Sequence, residues 1–491
     1  MTEQQSSYRQ IMKATSLFGG VQVINVIISI IRSKFIAVLL GPTGMGIIGL
    51  LTSTTAIITN LTNFGLGTSA VKSIATAFGI GDEKKIGIVV SVIRRMVWMT
   101  GLLGLITTII FSSLLSQLTF GNKDYTYAFI WLSSTLLFNQ LSSGQLVVLQ
   151  GMRKLKHLAQ ANLYGSFLGL LITIPLYYLW GIDGIVPGLI GSSVIALSMS
   201  WYFSQKIKLE KPILTSTQTI FEGKEMLQMG FLISVSGLLT IGASYIIRIF
   251  ISRTAGIEQV GLYNAGFTII NTYVGLVFTA MGTDYYPKLS AVAHDNKLCK
   301  NAINQQSEIA ILILAPILII FLVFINWFVI LLYSKQFTAI NGMIHWAALG
   351  MFFKASSWSI GFIYLAKGAS KLFFWNELLA NIYILGLNLL GYHYLGLTGL
   401  GLSFLIGYFL FLIQVFIVSK SQYQFSFDRT FIKIFMVHFC LAISAFLCVK
   451  YINQPYNYII GVFFIGFSGY YSLKELDKKI NFRDIISQKK K

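Results

Sequence analysis

Residues 27–46 read IISIIRSKFIAVLLGPTGMG. An apolar helical run carries Arg32 and Lys34 in its interior, closes on a Gly-Pro turn, and resumes as GMGIIGLL. Two cations inside such a run are costly unless something compensates them. What surrounds this helix therefore decides both fold and function.

The chain has 491 residues, 55% hydrophobic and 11% charged, with 44 Gly. A soluble chain carries about a quarter of its residues as charges, so this composition predicts an integral membrane protein. Long continuous apolar runs make it all-α rather than a β-barrel, whose strands alternate. Cys299, Cys440 and Cys448 form no CxxC pair and read as apolar fillers. The polar start MTEQQSSYRQIMKATS precedes an apolar run too long for a signal peptide and without an A-x-A site, so it reads as a retained first span.

Fourteen apolar segments are legible, near 15–40, 45–67, 87–111, 127–150, 158–180, 184–203, 227–252, 260–283, 308–333, 340–365, 372–392, 397–418, 431–449 and 457–472. Each approaches the ~20 residues that cross ~30 Å of hydrocarbon. Of the 37 Lys and Arg residues, only Lys123, Arg253, Lys335 and Lys450 fall in the loops opposite the amino terminus. Arg32, Lys34, Arg248 and Lys354 fall inside spans, and the remainder share the amino-terminal side. By the positive-inside rule both termini are cytoplasmic, in a multi-pass membrane protein. The net charge of +20 is then an orientation signal with affinity for membrane lipids, not a nucleic-acid footprint.

The chain repeats itself six spans apart. RSKFIAVLLGPTGMGIIG (32–49) faces RIFISRTAGIEQVGLYN (248–264), and GMRKLKHLAQANLYGSFLGLL (151–171) faces GASKLFFWNELLANIYILGLNLL (368–390). The turns YLWGIDGIVPG (178–188) and YLGLTGLGLS (394–403) align as well. An even number of spans gives both halves the same orientation, the parallel-repeat arrangement of transporters with substrate between two lobes. The expected organisation is an N-lobe at 1–203, a cytoplasmic linker at 204–226, a C-lobe at 227–419, and two added spans with a basic tail at 420–491.

A cation at a helix centre costs ~2.5–3.5 kcal/mol even on the lenient insertion scale. No carboxylate sits comparably deep, since Asp284 and Glu377 lie near cytoplasmic ends. A hydrated cavity that attracts anions would relieve that cost. Gln22, Asn25, Ser29 and Arg32 fall on one helical stripe; Gly237, Ser244 and Arg248 repeat it more weakly, and Lys354, Ser357, Gly361 and Tyr364 form another. Lys34 sits about 200° around the helix from Arg32, and a cation near a helix end can instead snorkel to the headgroups.

No GxxxxGK[ST] occurs, and the five His form no HExxH or Cys/His cluster, so neither a P-loop nor a metal site is expected. The outside loops are too short for the catalytic loop of a membrane-embedded polysaccharide polymerase or ligase. A transporter is expected, not an enzyme.

The turn LLGPTGMG (39–46), with RSKFIAV before it, resembles the first hairpin of bacterial O-antigen translocases. These are lipid-linked oligosaccharide flippases of the multidrug/oligosaccharidyl-lipid/polysaccharide export superfamily. Residues 335–377 (KQFTAINGMIHWAALGMFFKASSWSIGFIYLAKGASKLFFWNE) resemble the corresponding region of enterobacterial common antigen flippases. The resemblance implies about fourteen transmembrane helices: two six-helix lobes in a V shape around a cationic cavity, with two C-terminal helices added. It implies alternating access that moves a polyprenyl-pyrophosphate-linked oligosaccharide to the outer leaflet, beside a glycan polymerase and chain-length machinery. On this match the substrate-binding candidates are Arg32, Lys34, Arg248 and Lys354, with Asn25 and Ser29 on the polar stripe. Glu377 and Asp284 are the candidates for ion coupling or gating by H+ or Na+, with membrane potential the alternative energy source. No other cofactor is expected. A lipid II flippase of the same superfamily is the alternative reading.

Overall fold

The computed structural model describes residues 24–207 and 216–480, and all regular elements among them are helical. In chain order they are α1 (24–39), α2 (Gly41–Thr62), α3 (Leu66–Ile80), α4 (Glu83–Phe120) and α5 (Thr126–Gly151). There follow α6 (Leu155–Trp180), α7 (Ile185–Gln205), α8 (Ser216–Ala255), α9 (Ile257–Thr268) and α10 (Leu276–Ala291). The chain continues with α11 (Asn296–Leu332), α12 (Asn341–Ala366), α13 (Ser370–Tyr423), α14 (Arg429–Tyr451) and α15 (Tyr456–Ile480). The fourteen apolar segments, where described, lie on these helices to within a few residues. This is an all-α membrane protein. Among the described residues, eight helical runs are long and apolar enough to cross a bilayer.

Two of those runs, Leu155–Gln205 and Ser370–Tyr423, hold 51 and 54 residues. A straight helix of that length would reach about 80 Å, far beyond the ~30 Å of hydrocarbon. Each instead folds back on itself. Gly396 adopts φ 58 and ψ −140 inside α13, and beyond it Ser403 Oγ donates to the carbonyl of Leu387 at 2.6 Å. In the first run Gly181 takes φ 55 and ψ −128 between α6 and α7. Such backbone conformations are open essentially only to glycine.

The sequence repeat is visible as a repeat of turn geometry. Positive φ occurs at Gly41 and Gly256, at Arg153 and Gly368, and at Gly181 and Gly396. The three pairs have identical sequence separation. Pro42 in the first turn of α2 supplies a fixed φ and lacks the N–H that a helix start leaves unpaired.

α3 has no counterpart among the expected spans. It buries Ala70, Ile74 and Ala77 and exposes Lys72 on the opposite side. That i, i+4, i+7 spacing marks a surface amphipathic helix, too short and too one-sided to register as an apolar run.

The described helices gather into two compact units, divided between Gly261 and Leu262. In the first, Ile74, Val92, Ile93 and Val148 form part of a buried cluster from α3, α4 and α5. In the second, Tyr285, Leu289, Ile303, Ile360 and Val415 do the same for α10 to α13. The added pair α14–α15 docks on α11, which bends at Phe324 (φ −108, ψ 17). There Phe324 stacks on Tyr458 of α15 with ring centroids 5.6 Å apart, and His345 contacts the Leu322 carbonyl at 3.1 Å. His438 is fully buried between the hydroxyls of Ser468 and Ser472, at 3.0 and 3.2 Å, and ties α14 to α15. Both histidines are packing elements, as their isolated positions in the sequence suggest.

Candidate functional site

In the first unit, Arg32 projects from α1 into a cavity of about 290 Å³ between α5, α6 and α7. Asn139 and Ser142 of α5, Asn162 and Ser166 of α6, and Ser192 and Ser193 of α7 line it, and none of its lining residues is acidic. One guanidinium nitrogen, Nη2, donates to the Ser166 carbonyl at 3.4 Å. Nε is buried without a hydrogen-bond partner. Small residues make the room. A Cβ on Gly169 would stand 3.6 Å from Arg32 Nη2 and equally close to Ser192. The result is a half-buried cation ringed by hydroxyls and amides, whose fork of N–H groups fits a phosphate or carboxylate.

The other α1 candidates lie outside this lining. Lys34 and Ser29 are half-buried, and Asn25, also half-buried, keeps a buried Oδ1 unpaired. Gln22 lies outside the described residues. Arg248 stands on α8 and turns back onto its own helix, donating through Nη1 to the carbonyl and hydroxyl of Ser244. Arg253, one turn on, donates to the carbonyls of Gln117 and Leu118. It thereby places a cation at the negative end of the α4 dipole.

In the second unit, Lys354 of α12 donates to Asn271 Oδ1 at 2.8 Å. Its ammonium lies 5.2 Å from the Tyr408 ring centroid and 5.5 Å from that of Phe404, within cation–π range. Asn271 sits on a π-helical turn, Ile269–Val274, between α9 and α10. Such turns recur at functional positions because they push one extra residue out of the helical ladder. Sequence reading missed Asn271, although the polar pair in IINTYVG is an available signal. Glu377 is half-buried on α13, where its backbone carbonyl accepts from Asn381. Tyr383, on the same helix, has a buried hydroxyl with no hydrogen-bond partner. Tyr364, expected on the Lys354 stripe, is instead core: buried, with its hydroxyl donating to the Val415 carbonyl at 3.1 Å. Asp284 falls within α10, and its side chain lies outside the described residues.

A family model described as "Polysaccharide biosynthesis protein" matches residues 35–341. The chain belongs to this family. Arg32, Lys34 and Lys354 fall just outside the matched stretch, and Arg248 within it. The chain is 20% identical over 345 residues to the lipid III flippase of Escherichia coli K12, covering 69% of this chain and 81% of that protein. The Shigella flexneri lipid III flippase matches equally. Among solved structures, the inward closed conformation of the lipid II flippase MurJ superposes with a TM-score of 0.72 at 13% identity, over 97% of this chain and 100% of that one. An inward-facing multidrug resistance MATE transporter of the MOP superfamily superposes with a TM-score of 0.69 at 14% identity, over 84% and 98%. The family and its fold therefore agree with the resemblance drawn from the hairpin turn. The fold match that includes the lipid II flippase runs through α14–α15.

Proposed function

We propose that this protein is a flippase for a lipid-linked glycan, moving it from the cytoplasmic to the outer leaflet of the bacterial inner membrane by alternating access. The substrate is a polyprenyl-pyrophosphate-linked oligosaccharide, an O-antigen or similar surface-glycan repeat unit. The observation that carries this reading is Arg32: a guanidinium with a buried unpaired N–H, in a carboxylate-free cavity lined by hydroxyls and amides. An anionic, hydroxyl-rich headgroup satisfies both parts of that surface. Lipid-linked substrates in the names of the sequence relatives point the same way.

On this reading Lys354, Arg248 and Lys34 are further contacts for the anionic headgroup. Fourteen crossings place both termini in the cytoplasm, and a glycan polymerase with its chain-length partner takes the product. Glu377 and Asp284 are the candidate carboxylates for proton or sodium coupling, with membrane potential the alternative. A lipid II flippase shares this chemistry and differs in the glycan; the whole-chain fold match that includes α14–α15 favours keeping it as the second reading.

The test is export in cells lacking their own glycan flippase and complemented by this chain. Arg32→Ala should leave the protein inserted and abundant, abolish surface glycan, and accumulate lipid-linked repeat units inside. Full export by Arg32→Ala, Arg248→Ala and Lys354→Ala, each tested singly, would overturn the proposal. The glycan that accumulates identifies the substrate and separates the two readings.

A further inference from the structure

A second, larger cavity of about 690 Å³ opens at the loop ends of α2, α5 and α7 in the first unit. Asp124 enters it from the α4–α5 loop and Asp183 from the 3₁₀ turn between α6 and α7. Tyr127 and Trp131 line it from the first turns of α5 and are 75% and 66% exposed, while Leu51 and Pro187 close its floor. Both carboxylates are exposed, and the two aromatic rings are free to receive a ligand.

We propose that this crevice is a carbohydrate subsite. Tyr127 and Trp131 offer flat faces to the apolar C–H side of a pyranose ring, and Asp124 and Asp183 accept its hydroxyl protons. The occupant is the sugar portion of the glycan whose anionic linkage is assigned above to Arg32, so this subsite rests on the proposed function. Two features select a neutral or amino-bearing sugar over a phospholipid. A carboxylate pair repels an anionic headgroup, and an acyl chain leaves the carboxylates without partners, whereas sugar hydroxyls supply them.

The crevice and the Arg32 cavity share helices. Trp131 and Asn139 lie on α5 about two turns apart, or ~12 Å at 1.5 Å per residue. Asp183 and Ser193 bracket a similar stretch leading into α7. The two linings share no residue, so a substrate with one anionic end and one hydroxyl-rich end would reach both seats along α5 and α7.

Photocrosslinking in cells that make the glycan tests this. With Tyr127→p-benzoylphenylalanine in the full chain, irradiation should yield a peptide adduct carrying hexose or N-acetylhexosamine increments by mass spectrometry. Adding Asp124→Asn and Asp183→Asn together should reduce that adduct at least fivefold. Trp131→Ala should reduce it similarly, with less than a twofold effect from Trp131→Phe. The same crosslinker in place of exposed Tyr178 should give no sugar adduct. Phospholipid adducts alone, no adduct, or a sugar adduct indifferent to the carboxylates would overturn the subsite. The two proposals separate cleanly. Loss of export in Arg32→Ala with no sugar adduct at Tyr127 removes the subsite and leaves the flippase reading. A sugar adduct with full export in Arg32→Ala removes the assignment to Arg32.

Discussion

Gly169 leaves the seat of Arg32 open, and a large side chain there should expel the guanidinium. A Cβ at residue 169 would lie 3.6 Å from Arg32 Nη2 and 3.6 Å from Ser192, an ordinary van der Waals separation. Gly169→Ala therefore fits and gains up to about 1 kcal/mol of helix propensity. Gly169→Leu adds three further carbons to a site with no room for them on the guanidinium side. The cheapest relief is to swing Arg32 out of the cavity, which forfeits its contact with the anionic headgroup. A hydrogen bond to a charged group contributes about 1.5–3 kcal/mol, and 1.4 kcal/mol is tenfold, so export should fall about 10- to 100-fold. Surface glycan measured at matched protein abundance is the assay. Gly169→Ala should stay within twofold of the parent, and Gly169→Leu should approach Arg32→Ala. The double variant Arg32→Ala/Gly169→Leu should be no worse than Arg32→Ala alone, because both changes remove the same contact. Normal export by Gly169→Leu, or losses that add in the double variant, would refute the placement of the guanidinium.

Three further outcomes are expected. A methyl on Gly46 would stand 2.1 Å from the Ile257 carbonyl, and one on Gly261 1.8 Å from the Pro42 carbonyl. Gly46→Ala and Gly261→Ala should each therefore destabilise the purified protein by about 1–3 kcal/mol. Gly242→Ala, with nothing within 4 Å, should not, and equal thermal midpoints for all three would contradict the close helix crossing. Asn271→Asp should hold Lys354 in an ion pair and depress export more than Asn271→Ala does; parental export by Asn271→Asp would remove that pair from the site. At the start of α11, Asp295 accepts from the amides of Lys297 and Leu298, and these bonds hold its carboxyl below the ordinary range. A depressed folded value means that this cap is intact above the usual Asp range and is lost as pH falls through the lowered one. Protection of the Lys297 and Leu298 amides, measured against their intrinsic exchange rate at each pH, should fall on acidification and in Asp295→Ala but not in Asp295→Asn, which caps equally well.

Spans and turns were legible because the bilayer imposes a length and an apolarity that composition alone reports. Gly41, Gly181 and Gly396 announced their turns for a related reason: glycine is the residue that tolerates positive φ. Arg153 did not, because nothing in an arginine marks a left-handed backbone, and matching GMRKL to GASKL by letter pairs Gly368 with Gly151 instead. The Arg32 cavity was half legible. The stripe through Asn25 and Ser29 identified a polar face on α1, yet the groups that surround the guanidinium come from α5, α6 and α7. Single serines in those apolar helices look like ordinary small-residue packing. Asn271 escaped for a different reason. Its role depends on a π turn, a local change of ladder that no apolar periodicity encodes.

The repeat relates the two units in a way that pairing Arg32 with Arg248 obscures. The spacing that links Gly41 to Gly256, Arg153 to Gly368 and Gly181 to Gly396 is one residue shorter than the spacing from Arg32 to Arg248. One residue is about 100° around a helix, which is enough to send Arg248 back along its own helix to Ser244 while Arg32 reaches Ser166 of α6. The same spacing that joins the turns also joins Asn139 to Lys354 and Asn162 to Glu377. In the first unit those two positions are neutral amides lining the Arg32 cavity; in the second they carry Lys354 and the half-buried Glu377. Each unit thus brings a cation toward the α5–α6 or α12–α13 hairpin, from α1 in one case and from α12 itself in the other. The repeated element is the scaffold, and the charges were placed on it independently. By its place on the hairpin the Lys354 seat is accordingly the better structural counterpart of Arg32, even though Arg248 is the better match by letter.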